Sequence, residues 1–249
     1  MDRTGTQRWV ADAGGHRTGA AQAPQRLGGA AVFPYGLGGG ALMDMGQRME
    51  NLGRVIASRK TGAERFTAAG QPIGRTLADF WGWRLSDLLD NLERGALAEF
   101  IVATALGVPT DGVREGGAVW DLTTRDCGRI EVKSAAYLQA WAQKRLSRIS
   151  FNTRKTLAWD PDTGEFAAVP QRHADIYVFA LLDHTQKVTV DPLNLDQWKF
   201  YVLPTAVLDG RTRSPDSITL KTLNELTTAT GFGGLRDAVM RAENRIKSN

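Results

Sequence analysis

Three polar residues in a short stretch have the types and spacing of a metal-dependent hydrolytic site. Glu131 and Lys133 alternate with apolar neighbours in Arg129-Ile130-Glu131-Val132-Lys133-Ser134, and Asp121 precedes them. Side chains of equal parity share one face of a strand. Glu131 and Lys133 are therefore predicted to point the same way, with Val132 toward the other face.

A hairpin is predicted to bring these residues together. Residues 118–122 have a strand pattern, residues 123–128 are polar and end in glycine, and residues 129–134 alternate. Asp121 would then lie opposite or diagonal to Glu131. Two carboxylates so close repel each other unless a cation lies between them.

The cation that suits this donor set is Mg²⁺, which prefers carboxylate and carbonyl oxygens. The predicted ligands are Asp121, Glu131 and the backbone carbonyl of Val132. A bound metal lowers the pKa of its water and stabilises charge on a transferring phosphoryl group. Lys133, beside that water, is predicted to orient it and to help keep its deprotonated form.

A fourth acidic residue lies on a predicted helix over residues 85–106. Its apolar stripe is formed by Leu85, Leu88, Leu89, Leu92, Ala96, Ala103 and Leu106, and Gly107 ends it. Glu99 falls on this stripe, where an unpaired carboxylate is costly. Glu99 therefore needs a cation, and an ion pair with Arg84 or Arg94 competes at this point with a place in the metal site.

Other segments predict the elements around the hairpin. Thr76 and Asp79 have the pattern of a capped helix start. A helix is predicted over about 135–146, and the apolar run 176–182 predicts a central strand buried on both faces. A strand is predicted at 198–203 and a short one at 218–220, with helices from about Lys221 and Leu235.

This order of elements resembles the PD-(D/E)XK nuclease superfamily, which includes restriction endonucleases, Holliday-junction resolvases and RecB-type exonucleases. The resemblance rests on an acidic helix residue, then Asp121, then Glu131-Val132-Lys133, and covers roughly residues 85 to 203. It implies an α/β fold with a restriction-endonuclease-like αβββαβ core, in which helices flank a central mixed sheet. It also implies Mg²⁺-dependent phosphodiester hydrolysis of the two-metal type, with Mn²⁺ as a substitute.

The resemblance assigns roles to individual positions. Asp121 and Glu131 match the metal ligands, Lys133 the catalytic lysine and Glu99 the helix acid that assists the metal site. Ser134 matches the Glu-x-Lys-Ser form of several members.

Two departures limit the match. Trp120 stands where the pattern has proline before the acid, and Gln139 follows Lys133 too soon to match the RecB-type glutamine. A RecB-type exonuclease is therefore not assigned. Residues 130–203 also resemble a group of uncharacterised bacterial restriction-endonuclease-like proteins.

Nucleic-acid contacts are predicted in and after the strand that carries Lys133. Phosphate contacts come mostly from Arg and Lys. The candidates are Ser134, Gln139, Lys144, Arg145, Arg148, Arg154 and Lys155. A solvated basic face is the alternative. Trp141 and Trp159 are predicted to pack in the core rather than to stack on bases.

Composition sets the outer limits of this interpretation. The chain has 249 residues, of which 42% are hydrophobic and 23% charged, and its net charge of +4 is compatible with a polyanionic partner. Its one cysteine, Cys127, cannot form a disulfide within the chain, so a reducing cytoplasm is expected. The three histidines lack zinc-site spacing, and no apolar stretch approaches a membrane span.

Two regions are predicted along the chain. Residues 1–42 form a flexible or loosely docked arm rich in Gly and Ala, with a possible docking segment at 31–35. Residues 43–249 form a single nuclease domain with N-terminal helices and a C-terminal helical extension. Within it, residues 43–68 are basic and helix-compatible, and a solvated helical face is preferred there over a nucleic-acid contact.

The leading hypothesis is a Mg²⁺-dependent DNA endonuclease related to restriction or phage defence. The residues do not decide between DNA and RNA. A homodimer fits cleavage of both strands of a duplex, and a partner subunit in a defence system is compatible with the sequence. The alternatives are a non-catalytic nucleic-acid-binding module, against which the three carboxylates argue, and an unrelated α/β protein with a regulatory or scaffolding role.

Overall fold

The computed structural model describes residues 55–114, 118–126, 128–160 and 163–248. The chain divides into two units, Met1–Leu52 and Gly53–Asn249, and every described residue belongs to the second. The predicted arm at 1–42 and Cys127 lie outside the described residues.

The described residues form eight strands and five α-helices. The strands are β1 Arg65–Ala68, β2 Gln71–Thr76, β3 Leu122–Thr123, β4 Arg129–Ala136, β5 Ser150–Asn152, β6 Ile176–Leu182, β7 Trp198–Pro204 and β8 Ser217–Thr219. The helices are α1 Leu77–Leu85, α2 Asn91–Leu106, α3 Thr205–Asp209, α4 Leu220–Leu226 and α5 Phe232–Lys247. None of these helices has the length and apolar character needed to cross a bilayer.

A four-stranded mixed sheet forms the centre of this unit, in the order β3-β4-β6-β7. The central pair β4 and β6 is parallel, with Glu131 beside Tyr177 and Lys133 beside Phe179, whereas the outer pairs are antiparallel. All seven residues of β6 are buried. This confirms the prediction of a central strand covered on both faces.

Each face of the sheet has its own apolar core. Ile130 and Val132 of β4 pack with α2 and α5 on one face. On the other face, Ala135 packs with Phe151 of β5 and with residues of β8, α3 and α4. The alternation of β4 therefore turns Val132 toward the helices, and places Glu131 and Lys133 on the side of Ala135, as predicted.

The start of α2 lies later than the sequence predicts. Residues 85–106 are not one helix, because α1 ends at Leu85 and Asp90 caps α2, accepting a hydrogen bond from the Leu92 N–H. The end is as predicted, since Gly107 adopts a left-handed conformation with φ of 67°. The capping box of Thr76 and Asp79 at the start of α1 is also confirmed.

The helix predicted over 135–146 is wrong. Strand β4 continues through Ala135 and Ala136, which pair with β6, and the described residues between β4 and β5 contain no helix. Pairing with β6 outweighs the high helix propensity of these two alanines, since tertiary context overrides intrinsic preference. The loop is held by Gln143, whose side chain accepts from the Gln139 N–H and donates to the Tyr137 carbonyl.

The elements of the second half of the chain agree with the sequence predictions, whereas two earlier segments differ from them. The strands at 198–204 and 217–219 and the helices at 220–226 and 232–247 confirm the predictions for the second half of the chain. The strand predicted at 118–122 is reduced to β3, which begins just after Asp121. The basic segment 43–68 has no helix over its described part, 55–68, where β1 forms instead.

Candidate active site

The start of β3 fixes Asp121 against β4 through both its backbone and its side chain. The Asp121 N–H donates to the Ile130 carbonyl at 2.9 Å. Its Oδ2 accepts from the Val132 N–H at 2.7 Å. The Asp121 carboxylate therefore lies at the edge of the sheet, next to Glu131 along the chain of β4.

The backbone of Val132 faces this same edge. The only residues of β3 paired with β4 are Leu122, opposite Ile130, and Thr123, opposite Arg129. The N–H and C=O of one strand residue point to the same side. Since the Val132 N–H points at Asp121, its carbonyl also faces the edge beyond β3.

Glu131 and Lys133 form an ion pair on the opposite face of β4 from α2. Burial raises the pKa of Glu131, the nearby Asp121 carboxylate adds to this, and Lys133 opposes it. Tyr177, beside Glu131 in register, has its pKa raised to about 12 by burial and then by the Glu131 charge. The site thus contains carboxylates that resist ionisation.

Helix α2 brings Glu99 to the sheet edge near Asp121, and Arg114 connects these two acids. The Arg114 Nε donates to Glu99 Oε2, and its Nη2 donates to Asp121 Oδ1 at 2.8 Å. The cation that Glu99 requires is therefore neither Arg84 nor Arg94. Arg84 instead pairs with Glu93 at 2.6 Å.

The charge of Asp121 acts on both glutamates. Burial raises the pKa of Glu99, and the charges of Asp121 and Glu131 raise it further, while Arg114 opposes this. Burial disfavours the charged form of Arg114, but its two carboxylate partners outweigh that effect and raise its pKa. The site therefore holds excess negative charge that two internal cations, Arg114 and Lys133, compensate.

The donor set fits a hard divalent cation in its chemistry. Glu99, Asp121, Glu131 and the Val132 carbonyl offer only oxygen ligands, which suit Mg²⁺ and Mn²⁺ rather than zinc. Their spacing is wider than in a formed metal centre, since no three His, Cys, Asp or Glu side chains among the described residues are grouped closely enough to bind one ion. The positions next to the acids are taken by Arg114 and Lys133.

A cavity of about 700 Å³ lies elsewhere, near the end of α5, whereas a smaller one of about 540 Å³ borders the acids. The smaller cavity is lined by Glu99, Arg114 and Asp121 on one side and by apolar side chains, including Phe100 and Trp120, on the other. The smaller cavity is the one that gives access from solvent to Glu99 and Asp121.

Ser134 and Gln139, predicted to contact nucleic acid, belong to a network around the buried Arg94. Arg94 Nε donates to Ser134 Oγ at 3.0 Å, and Nη1 lies 3.5 Å from Gln139 Oε1. Gln139 is buried and donates to the Ala136 carbonyl and to Ser147 Oγ. In this structure both side chains hold the end of β4 against α2.

The five basic residues predicted to grip phosphates are all exposed: Lys144, Arg145, Arg148, Arg154 and Lys155. They flank β5, which packs over the face of β4 that carries Glu131 and Lys133. Arg154 and Lys155 lie 3.9 Å and 3.8 Å from Asp216 and Asp209. Such loose, exposed pairs leave the cations accessible.

The prediction that Trp141 and Trp159 pack in the core is wrong, since the two residues are 53% and 38% exposed, respectively.

Sequence patterns did not identify Arg114 or Tyr177 as neighbours of the acids. Arg114 lies in an irregular loop with no periodic pattern. Tyr177 lies within an apolar run, and only the parallel register with β4 places it beside Glu131.

Comparison of the chain with models of known protein families and with curated proteins finds no match.

Proposed function

We propose that this protein is a metal-dependent endonuclease that hydrolyses DNA phosphodiester bonds, on a restriction-endonuclease-like core. The observation that carries the proposal is that the Asp121 carboxylate at the edge of β4 lies near enough to Glu131 and to Glu99 to raise the pKa of both, while Lys133 pairs with Glu131. Three partly buried carboxylates around one edge are costly for folding alone, so a function that uses them is favoured.

The order of elements supports the finer fold assignment. A helix with an inward acid, α2, precedes the β3–β4 hairpin, and β4 is parallel to β6 in a mixed sheet. The connection from β4 to β6 lacks the helix of the αβββαβ pattern among its described residues. This departure affects the outer layer but not the strands that hold the acids.

Each residue has a proposed part in the reaction. Asp121, Glu131, the Val132 carbonyl and Glu99 would hold Mg²⁺, which when bound acidifies water and stabilises charge on the phosphoryl group. Lys133 orients the attacking water and stabilises the deprotonated form of that water. Arg114 and the exposed residues around β5 bind phosphate oxygens of the substrate.

The test is cleavage of plasmid, linear duplex, single-stranded DNA and RNA, each with Mg²⁺, Mn²⁺ or EDTA. We expect metal-dependent cutting within the chain of a DNA substrate, and Lys133→Ala and Asp121→Asn should lower its rate by about 10²- to 10⁴-fold. Lys199→Ala is the matched control, because Lys199 also pairs with an acid, Asp183, and lies on β7, the edge strand opposite β3. The control should cut at the rate of the unaltered protein.

The results separate the hypotheses. Conversion of plasmid directly to the linear form would support two sites acting together, as in a homodimer. Cutting that survives Lys133→Ala, or that Lys199→Ala also removes, would contradict the assigned site. RNA cutting without DNA cutting would contradict the substrate.

One observation favours a second candidate, a non-catalytic nucleic-acid-binding module. Arg114 and Lys133 already form ion pairs with all three carboxylates, and the described residues present no ready group of metal ligands. For this candidate we expect DNA binding in EDTA, no cutting in any metal, and no effect of Mg²⁺ on thermal stability.

A further inference from the structure

The segment from β1 to α1 buries almost none of its side chains. We call this segment, Arg65–Leu85, the hairpin–helix surface. Every residue of β1 and nearly all of β2 is exposed, and α1 has no buried residue. Such a segment gains little stability from its own packing, so its apolar side chains require another explanation.

Aromatic and apolar side chains gather on one side of this surface. Phe66 and Ile73 of the hairpin and Phe80 and Trp83 of α1 line an open cavity of about 440 Å³. Trp83 is 81% exposed, and its ring centroid lies 6.3 Å from that of Phe80. The surface therefore offers flat π-faces to a ligand instead of burying them.

Exposed basic residues occur in and just before this segment, and one of them, Arg75, lines the cavity together with Asp79. Lys60, Arg65 and Arg75 are exposed, and none forms a salt bridge with another described residue. The positive charge at this surface is thus available to a partner.

The two acids of the same region are occupied by the backbone. Glu64 accepts hydrogen bonds from the N–H groups of Thr61 and Gly62, and Asp79 accepts from the N–H of Thr76. These bonds hold the turn before β1 and the start of α1. Both carboxylates keep their charge, so Lys60, Arg65 and Arg75 against Glu64 and Asp79 leave one net positive charge, three cations minus two acids.

We propose that the hairpin–helix surface binds single-stranded nucleic acid. Exposed aromatic rings stack on bases of any sequence, and neighbouring cations bind the phosphates between those bases. Charge complementarity selects a polyanion over a neutral apolar protein partner. Single strands are favoured over duplex because bases in a duplex already stack on one another.

This inference rests on the proposed function only in that both name nucleic acid as the partner. The surface and the acids are formed by different residues, and binding is measured in EDTA, where metal-dependent cutting does not occur. Failure of cleavage therefore leaves this proposal standing, and failure of binding at this surface leaves the carboxylate site untouched.

The first experiment is fluorescence anisotropy with labelled oligo-dT and the full chain in EDTA, over a series of salt concentrations. Trp83→Ala and Phe66→Ala should each weaken binding about 5- to 150-fold, the effect of losing one stacked base. Arg75→Ala should reduce the slope of log K against log salt by about 0.7. Circular dichroism checks that each variant is folded.

The matched controls change the same kind of group elsewhere. Leu193→Ala truncates a side chain that is 65% exposed in the loop before β7. Lys221→Ala removes an exposed positive charge from the start of α4. Neither control should change affinity by more than about twofold, because nucleic acid would not contact either position; a loss of one stacked base, by comparison, costs at least 1 kcal/mol.

Photocrosslinking locates the contact directly. Oligonucleotides that carry 5-iodouracil should crosslink to the tryptic peptide Thr76–Arg84, which contains Phe80, Trp81 and Trp83. Equal affinity of Trp83→Ala and the unaltered chain would overturn the proposal. Tighter binding of duplex than of oligo-dT would also overturn it. So would a finding that the chain binds no nucleic acid and instead assembles into a larger complex that depends on Trp83.

Discussion

Replacing Arg114 with alanine removes the cation that connects Glu99 and Asp121. The Arg114 side chain is 46% exposed, whereas those of Glu99 and Asp121 are 17% and 12% exposed. Two partly exposed ion pairs contribute about 0.5–1 kcal/mol each. The metal-free variant should therefore lose about 1–2 kcal/mol, which for a unit of this size lowers Tm by about 3–6 °C.

Mg²⁺ should reverse this loss. In the unaltered protein, a divalent ion must displace Arg114 from its carboxylates, which costs the same free energy. Because about 1.4 kcal/mol corresponds to a factor of ten in affinity, Arg114→Ala should bind Mg²⁺ about 5- to 30-fold more tightly. At equal Mg²⁺ concentration, the variant should therefore gain more stability than the unaltered protein.

The assay is thermal unfolding in EDTA and over a series of Mg²⁺ concentrations. Arg84→Ala is the control, since Arg84 is 44% exposed and pairs with Glu93 on the same helix as Glu99. It should lose comparable stability without metal and show no gain in Mg²⁺ affinity. If Mg²⁺ stabilises both variants equally, or binds Arg114→Ala more weakly than the unaltered protein, the acids do not form a cation site in which Arg114 takes the place of metal.

Three further outcomes are expected. Burial and mutual repulsion raise the pKa of Glu99 and of Glu131, so in EDTA their stabilising effect is greatest below the ordinary glutamate pKa and falls as pH rises through the raised values. Urea unfolding across pH should show this fall, and Glu99→Gln should flatten it. Arg94→Ala removes a buried guanidinium that donates to Ser134 Oγ, the Leu89 carbonyl and Asn91 Oδ1, and should lose about 3 kcal/mol by urea unfolding, against no more than about 0.5 kcal/mol for an exposed substitution such as Lys221→Ala. Gly128→Ala places a methyl group against the Glu243 carboxylate and Thr124, and should lower stability by about 1–2 kcal/mol, which a normal Tm would contradict.

Local patterns predicted the hairpin and its acids well. The alternation around Glu131 determined which face of β4 it occupies, and the apolar run in β6 determined its burial on both sides. These patterns reflect short-range geometry, because the parity of a strand and the absence of polar residues depend on few neighbours. The position of Asp121 at the sheet edge also followed from the hairpin alone.

Local sequence patterns could not predict which distant segments pair with each other. Ala135 and Ala136 have helix-compatible neighbours, yet they extend β4 because β6 offers a partner far away in the chain. Arg114 reaches the acids from an irregular loop, so no spacing rule connects it to Glu99. The exposure of the aromatic residues of α1 could not be predicted either. The sequence shows that a tryptophan is apolar, but it does not show whether other residues cover that side chain.

The parallel pairing of β4 with β6 has a consequence for how the protein folds. Glu131 pairs in register with Tyr177, and the chain between them must close a long loop that contains no helix among its described residues. Closing such a loop costs entropy before the paired strands return any stability. The β3–β4 hairpin can form early from local contacts. The packed face beneath Glu131 and Lys133 forms only after β6 has paired with β4. Synthesis of the chain must therefore pass residue 182 before the carboxylate edge acquires its final geometry.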